Sequence, residues 1–394
     1  MNKVAIIGIG ALPVGKYNDM LEHEMLIQAL LTAIRDANLS KHHIDALVFC
    51  TPRPYTEQRY FGTFIAGYLN LPLDGILLEV LGNGMTGGLA LDIAIQQIEL
   101  GKAHVAIALG VSRELHVPTE KHMQLTMRAV GDVDFHTPFG VTPIAWYAMN
   151  ATRYMHEYHV THRELAAVAV KNRQHASLNP LAQFRTPITI EDVLTSRPIV
   201  KPLNLLDVAP RSDGAVAIVL AEESIARRVC ANPIYIAGRG FYHEGVHQVS
   251  SIPRSLVHFE SAERAAMYAY HDANIGPEDI DLAEVYAPCS IVEIMLTEAL
   301  GFFPPGEGAH AASQGKTRIG GDIPVSTSGG CLSRGHPPMV TPLYNVYETV
   351  LQLRYAAGER QVEGIRFAMT TSELGDYNST LIHIFSNQSN TREV

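Results

Sequence analysis

Cysteine and histidine side chains are the first candidates for nucleophile or metal chemistry. The four cysteines of the chain are Cys50, Cys230, Cys289 and Cys331. No two of them form a C-x-x-C pair, so a cysteine zinc site is not predicted, and buried thiols are the simplest interpretation. The 18 histidines are mostly scattered, as is typical of ordinary surface or core positions.

The H-E-x-x-H spacing over residues 243–247 is the histidine pattern that most suggests zinc. This spacing binds the metal on a helix, because there both imidazoles share one face. Here it follows a predicted strand that ends at Gly240, and it contains Gly245, which disfavours a helix. We therefore predict no metal site in this protein.

The composition indicates a large folded protein that does not bind nucleic acid. The chain has 394 residues, 47% of them hydrophobic and 18% charged, which supports a core larger than that of one small domain. A net charge of −10 argues against a broad basic face. No apolar run reaches the length of a membrane span, and the N-terminus lacks a signal-peptide pattern, so we expect a cytoplasmic protein.

A layered α/β arrangement must position any site. Short apolar runs alternate with segments of helical spacing, which predicts strands alternating with helices around a parallel sheet. Strands are predicted at 4–10, 44–50, 76–80, 105–110, 215–221, 234–240, 280–286, 365–371 and 380–386. Helices are predicted at 21–37, 85–100, 262–273, 291–300 and 341–354, the last with Thr341 as its N-cap.

The order of these elements recurs, which divides the chain into two comparable halves. We predict an N-terminal half over residues 1–225 and a C-terminal half over residues 226–394. Residues 115–205 are richer in His, Arg, Thr and Tyr and contain few predicted strands. We interpret them as a long insertion over the sheet that belongs to the N-terminal half, and not as a separate domain joined by a linker. Identity between the halves is too weak to prove a repeat.

Six segments, taken in order, carry a family resemblance. They are the strand 4–10, the turn 79–88, the strand region 101–110, Asn-Pro-Leu-Ala-Gln-Phe at 179–184, Arg-Ser-Asp-Gly-Ala at 211–215, and Ser-Gly-Gly at 328–330 with Arg-Gly-His-Pro at 334–337. Together they resemble the thiolase superfamily, and within it the sterol carrier protein x-type thiolases. The resemblance covers nearly the whole chain. It implies a five-layered αβαβα fold of two similar halves, an acyl-CoA thioester substrate and a dimer.

The turn before the buried helix departs from the family. A thiolase carries its nucleophilic cysteine there, where the helix dipole favours the thiolate, whereas this chain has Gly84. No cysteine lies between Cys50 and Cys230, so no shift of the alignment restores one. The resemblance therefore implies that the nucleophile position is lost and that no acyl-enzyme forms. Gly84 and Gly375 are expected to remain as turn residues beside the thioester oxygen.

Three other residues match or replace the family's acid/base groups. His336 lies in the catalytic Gly-His-Pro motif, and Tyr286 stands where the family has Asn or His. Tyr377 lies in a final glycine-rich loop that lacks the usual acid/base cysteine. The chain looks like the steroid side-chain-cleaving, lipid-transfer-protein aldolases, which lack the thiolase cysteine and use tyrosine. This implies proton transfer by Tyr286 and His336, with Tyr377 as a core or lid aromatic or a second proton carrier.

Two cysteines near these motifs, Cys289 and Cys331, are candidates for a different nucleophile. Cys289 is one residue beyond the position of a family cysteine, so its side chain should point to the other face if the strand continues.

Contacts to CoA are expected from arginines, with Arg173, Arg185 and Arg211 as candidates, because a guanidinium pairs well with phosphate. The resemblance also implies a homodimer or a heteromer, a possible OB-fold, zinc-ribbon partner, and no covalently bound cofactor.

Three functions follow from these residues. The first is retro-aldol cleavage of a 3-hydroxyacyl-CoA, which needs an enolate site but no nucleophile. The second is a catalytically silent subunit that binds acyl-CoA or a partner. The third is a thiolase-related acyltransferase that uses Cys289 or Cys331. The sequence does not distinguish among steroid, aromatic and short branched acyl groups in the substrate.

Overall fold

The computed structural model describes residues 3–51, 56, 58, 61–71, 73–128, 132–244 and 255–389. Its strands are β1 Val4–Ala11, β2 Ala46–Cys50, β3 Leu77–Val80, β4 Val105–Ser112, β5 Pro198–Val200, β6 Leu203–Asn204, β7 Gly214–Glu222, β8 Ile234–His243, β9 Leu282–Glu284, β10 Phe367–Leu374 and β11 Ser379–Ser386. Its helices are α1 Glu22–Asp36, α2 Phe61–Leu69, α3 Thr86–Glu99, α4 Thr119–Thr126, α5 Pro143–Tyr158, α6 His162–Ser177, α7 Ile190–Thr195, α8 Glu223–Val229, α9 Glu260–Ala273, α10 Ser290–Ala299, α11 Gly308–Ser313 and α12 Thr341–Leu353.

Most of the strands in the described ranges form one sheet, in the order β3-β2-β4-β7-β1-β8-β11-β10-β9. The two halves meet where β1 pairs with β8, with Ala5 opposite Tyr235 and Ile6 opposite Ile234. From this junction outward, both halves repeat one pattern of two antiparallel pairs and then a parallel pair. The similarity of the two halves, weak in sequence, is therefore plain in their topology.

The sheet is mixed, so the prediction of a parallel sheet is wrong for its centre. The strand β1 is antiparallel to both of its neighbours, and β7 is antiparallel to β4. The chain leaves β4, passes through residues 115–205 and re-enters the sheet at the same end, so that Gly214 lies opposite Ser112. A return to the same end makes an antiparallel pair, whereas only a crossover connection makes a parallel one.

Helices pack on the outer face of each half of this sheet and also between the two halves. Three layers of helices therefore alternate with two layers of strands. The first half packs its outer face on α1 and α2, and the second half packs its outer face on α9 and α10. Between the halves lie α3 and α12, whose side chains share one core with strands of both halves. The predicted thiolase-like αβαβα fold is thus confirmed. Within the described residues, every helix is too short or too polar to cross a membrane.

Paired glycines let each first strand approach its outer helix closely. A Cβ at Gly8 would stand 2.3 Å from the Ala33 carbonyl oxygen of α1. A Cβ at Gly240 would stand 1.9 Å from the Ala265 carbonyl oxygen of α9. Because the opposing atoms are backbone, the strand and helix in each half must separate to admit any side chain.

We predict that Gly240→Ala lowers the free energy of unfolding by about 1–3 kcal/mol, the range for overpacking a tight core. The matched control is Gly67→Ala in α2, where a Cβ meets nothing within 4 Å. That variant should be neutral or slightly stabilising, because alanine is the better helix former. Urea unfolding of both variants checks the prediction, and equal stability of the two would contradict it.

Candidate active site

A cavity of about 250 Å³ lies where the ends of β4, β9 and β10 meet the start of α3. Five of the predicted site residues line it, namely Gly84, Arg211, Tyr286, His336 and Gly375. A larger groove of about 730 Å³, between α8 and α12 around Cys230 and Arg354, contains none of them. The smaller cavity is therefore the candidate active site.

The turn at Gly84 has no room for a side chain. A Cβ there would stand 2.7 Å from the Tyr286 hydroxyl oxygen and 2.9 Å from the Glu373 carbonyl oxygen. The tyrosine hydroxyl thus fills the space that a nucleophile at position 84 would need. The turn at the start of α3 therefore carries no side chain at position 84. The side chain in this space is that of Tyr286, which follows the end of β9.

Tyr286 and His336 form a hydrogen-bonded pair. The hydroxyl oxygen of Tyr286 lies 3.3 Å from Nε2 of His336, and the two rings meet edge to face. The other ring nitrogen, Nδ1, lies 3.1 Å from Oγ1 of Thr341. Thr341 has one hydroxyl proton and donates it to the Pro337 carbonyl oxygen at 2.9 Å, so its oxygen accepts from Nδ1. Nε2 is then bare and accepts from the Tyr286 hydroxyl.

The backbone of His336 is held by the side chain of a residue distant in the sequence. The His336 N–H donates to Oγ of Ser212 at 2.9 Å. Thr341, predicted as an N-cap, is instead the first residue of α12, with Val340 as the cap. Its hydroxyl therefore serves the Pro337 carbonyl and the imidazole and not the helix N-terminus.

Burial keeps both members of the pair neutral. His336 is partly open to the cavity, but desolvation by the surrounding protein, with help from the Arg334 charge, lowers its pKa to about 3. Desolvation, and next the nearby carboxyl of Glu373, raises the pKa of Tyr286 well above its ordinary value. At neutral pH the site therefore holds a neutral phenol that donates to a neutral imidazole.

Tyr377 lies behind the cavity wall and supports Tyr286. Its hydroxyl donates to the Tyr286 carbonyl oxygen, and its ring stacks on Phe259 with centroids 4.5 Å apart. The structure thus places it as a core aromatic, one of its two interpretations. Gly375, two residues earlier, does line the cavity, and its φ of +54° suits glycine.

The three candidate arginines lie in different surroundings. Arg211 lines the cavity, and its Nη2 donates to the Glu114 carbonyl oxygen. Arg173 is buried and donates from Nε to Oγ of Ser333 at 3.1 Å. Arg185 is exposed on the surface. The structure brings only Arg211 of these three to the cavity wall.

Cys289 also lines the cavity, contrary to the expected orientation. The strand predicted at 280–286 ends at Glu284, so strand alternation does not reach the cysteine. Burial, and next the carboxylate of Asp207, raises the pKa of the Cys289 thiol well above its ordinary value. Burial raises that of Cys331 to about 12. Both thiols stay protonated at neutral pH, whereas a nucleophile must be a thiolate.

The H-E-x-x-H segment does not begin on a helix. His243 is the last residue of β8, and its Nδ1 is hydrogen-bonded to Oγ of Ser379. The second histidine of the spacing, His247, lies outside the described residues. Within the described ranges, no group of three His, Cys, Asp or Glu side chains is arranged to hold a metal ion.

Sequence reasoning missed three acidic groups in the cavity wall, those of Glu114, Glu373 and Asp376. Glu373 stands at the end of β10, and Glu114 follows β4 and contacts Nε2 of His122 at 2.9 Å. Their roles depend on burial and on partners distant in sequence, which a local pattern does not reveal. The one available signal was the position of Glu373 two residues before Gly375, in the loop already known to depart from the family.

Models of two protein families match the chain. The family described as "Thiolase, N-terminal domain" matches residues 4–224, and the family described as "Thiolase C-terminal domain-like" matches residues 243–387. This chain belongs to the thiolase superfamily. Its similarity to sterol carrier protein 2 of Bos taurus, 30% identical over 77% of this chain and 58% of that protein, confirms the predicted subgroup.

Two relatives of this thiolase-superfamily protein carry different activity names. An "Acetyl-CoA acetyltransferase" of Methanothermobacter thermautotrophicus is 36% identical over 98% of this chain and 100% of the relative. A "17-hydroxy-3-oxo-4-pregnene-20-carboxyl-CoA lyase" of Mycobacterium tuberculosis is 30% identical over 96% of this chain and 98% of the relative. The solved structure of an "Ltp2-ChsH2(DUF35) aldolase" is similar with a TM-score of 0.85 and 28% identity, covering 98% of each chain.

We predict that Gly84→Cys does not restore a thiolase site and lowers the free energy of unfolding by about 1–3 kcal/mol, because the new Cβ overlaps Tyr286. Adding Tyr286→Ala removes that overlap. The double variant should then lose less stability than the sum of the two single variants, a coupling that a double-mutant cycle measures. Strict additivity would contradict the shared-space interpretation.

Proposed function

We propose that this protein is a carbon–carbon lyase that cleaves a 3-hydroxyacyl-CoA between C2 and C3 in a retro-aldol reaction. The observation that carries the proposal is the Tyr286 hydroxyl, which fills the space beside Gly84 and hydrogen-bonds to His336. A hydroxyl there supplies an acid/base group and no thiolate. Thiolysis needs an acceptor for the acyl group, whereas retro-aldol cleavage needs proton transfer and a stabilised enolate.

Bond breaking starts at the 3-hydroxyl of the substrate. Its proton passes to the Tyr286 oxygen while the tyrosine proton passes to Nε2 of His336, the bare nitrogen of the imidazole. The C2–C3 bond then breaks. C3 becomes the carbonyl carbon of a ketone or aldehyde, and the electron pair of the bond stays on C2 as a CoA enolate. Protonation of C2 completes the reaction with no net gain or loss of protons.

The enolate needs hydrogen-bond donors beside its oxygen. The proposed donors are the backbone N–H groups of Gly84 and Gly375, residues that line the cavity, and the positive charge formed at His336 adds to their effect. Gly84 also lies at the start of the 14-residue helix α3, whose dipole favours negative charge. A fixed donor at a developing oxyanion is worth roughly 3–4 kcal/mol in a site that excludes water.

Two of the similar proteins support a lyase in preference to an acyltransferase. One is named a carboxyl-CoA lyase and the other an aldolase. The relative named an acetyltransferase favours the competing reaction. Acyl transfer through Cys289 or Cys331 would require a thiolate, which burial opposes at both positions.

The substrate and partners are proposed on the same basis. We infer a CoA thioester as the substrate, with Arg211 as its arginine contact on the cavity wall, and no covalently bound cofactor. The similar aldolase is named as a pair of proteins, "Ltp2-ChsH2(DUF35)". By analogy, this chain acts as a dimer or heteromer with an OB-fold, zinc-ribbon protein. A silent subunit, the second candidate function, has no need for a hydrogen-bonded Tyr286–His336 pair.

We predict that Tyr286→Phe reduces cleavage of 3-hydroxyacyl-CoA by about 10²–10⁴-fold, the contribution of one placed acid/base group. The hydroxyl is lost while the ring stays, so the melting temperature should change little. The matched control is Tyr268→Phe on the exposed side of α9, which should keep full turnover. Steady-state assays of released ketone or aldehyde measure both variants.

Two results would count against the assignment of Tyr286. Turnover of Tyr286→Phe at the wild-type rate would remove the tyrosine from the mechanism. Wild-type protein that binds acyl-CoA but cleaves no 3-hydroxyacyl-CoA, with its partner retained, would favour the silent subunit.

A further inference from the structure

The carboxyl group of Glu373 is a buried acid in the cavity wall to which the reaction described above gives no task. Glu373 is 6% exposed and stands at the end of β10. Its backbone oxygen and the Tyr286 hydroxyl both lie within 3 Å of the point where a Cβ at Gly84 would stand. The two residues therefore flank the same part of the cavity.

The surroundings of Glu373 keep it protonated. Burial is the main cause that raises its pKa, to about 8, and the charge of Asp376 acts in the same direction. The Tyr147 hydroxyl and the Tyr377 N–H donate to the carboxyl and lower the pKa in part. The phenols of Tyr286 and Tyr377 and the thiol of Cys331 also interact with it, and all three stay neutral at neutral pH.

Retro-aldol cleavage needs two proton-transfer groups at different atoms. One removes the proton from the 3-hydroxyl, and the hydrogen-bonded pair of Tyr286 and His336 is proposed for that step. The other adds a proton to C2 after the bond has broken. A group that holds its proton at neutral pH, lines the same cavity and belongs to another strand end meets the second requirement.

We propose that Glu373 is the catalytic residue that delivers a proton to C2 of the CoA enolate. This inference rests on the proposed function. In the step, the carboxyl O–H bond breaks, a C2–H bond forms with the electron pair of the enolate, and Glu373 becomes a carboxylate. The proton held by His336 then restores the acid after product release. In reverse, the Glu373 carboxylate removes a C2 proton from a simple acyl-CoA.

The reverse step gives a test that does not depend on cleavage. Wild-type protein, purified with any partner that accompanies it, is incubated with acetyl-CoA or propionyl-CoA in D₂O, and deuterium at C2 is followed by mass spectrometry. We expect exchange whose rate rises with pH and levels off above about 8, as the carboxylate forms. Glu373→Gln should lose this exchange by about 10²-fold or more.

The controls separate loss of the carboxyl from loss of the fold. Glutamine has the shape of the protonated acid, so the melting temperature should be kept, and Glu373→Asp, which retains a displaced carboxyl, should show an intermediate rate. The matched control Glu359→Gln, at an exposed turn, should exchange like the wild type.

The outcomes distinguish this inference from the lyase assignment. Wild-type exchange rates in Glu373→Gln, or no exchange by the wild type, would each overturn the role of Glu373. Exchange that depends on Glu373 in a protein that cleaves no 3-hydroxyacyl-CoA would keep this role and reject the retro-aldol reaction.

Discussion

The space beside Gly84 admits one side chain, and the chemistry of the site depends on which residue supplies it. The turn at the start of α3 places that space next to the end of β9, so a side chain from either element would reach it. In this chain the strand end supplies the Tyr286 hydroxyl, and the turn is glycine because a Cβ would meet that hydroxyl at 2.7 Å. Restoring a nucleophile at the turn alone therefore requires the tyrosine to move.

Burial then fixes which proton transfers the site favours. The hydroxyl of Thr341 orients the imidazole of His336 so that its bare nitrogen faces Tyr286. Desolvation keeps the imidazole and the phenol neutral and the thiol of Cys289 protonated. Charge that develops on a substrate enolate would be stabilised in such a site by fixed donors and not by water. These surroundings maintain a neutral pair of phenol and imidazole and no thiolate.

Local patterns in the sequence predicted much of the fold and part of the site. The buried helix after Gly84 and the Gly-His-Pro motif of His336 are continuous segments, so their positions could be predicted directly. The antiparallel centre of the sheet could not, because it depends on where the chain re-enters after residues 115–205. The predicted orientation of the Cys289 side chain was wrong because β9 ends at Glu284, before the end of the apolar run from which the strand was predicted. Glu373 could not be identified from the sequence because its burial comes from residues distant in sequence.

The most direct test of the central claim is product analysis of the purified protein by mass spectrometry, with any partner retained. A panel of 3-hydroxyacyl-CoA and 3-ketoacyl-CoA thioesters is offered with and without free CoA. Our account predicts a ketone or aldehyde plus a shortened CoA ester from a 3-hydroxyacyl-CoA, with no requirement for free CoA. Cleavage of a 3-ketoacyl-CoA that requires free CoA would contradict it, because acyl transfer would then proceed through a nucleophile that our account excludes.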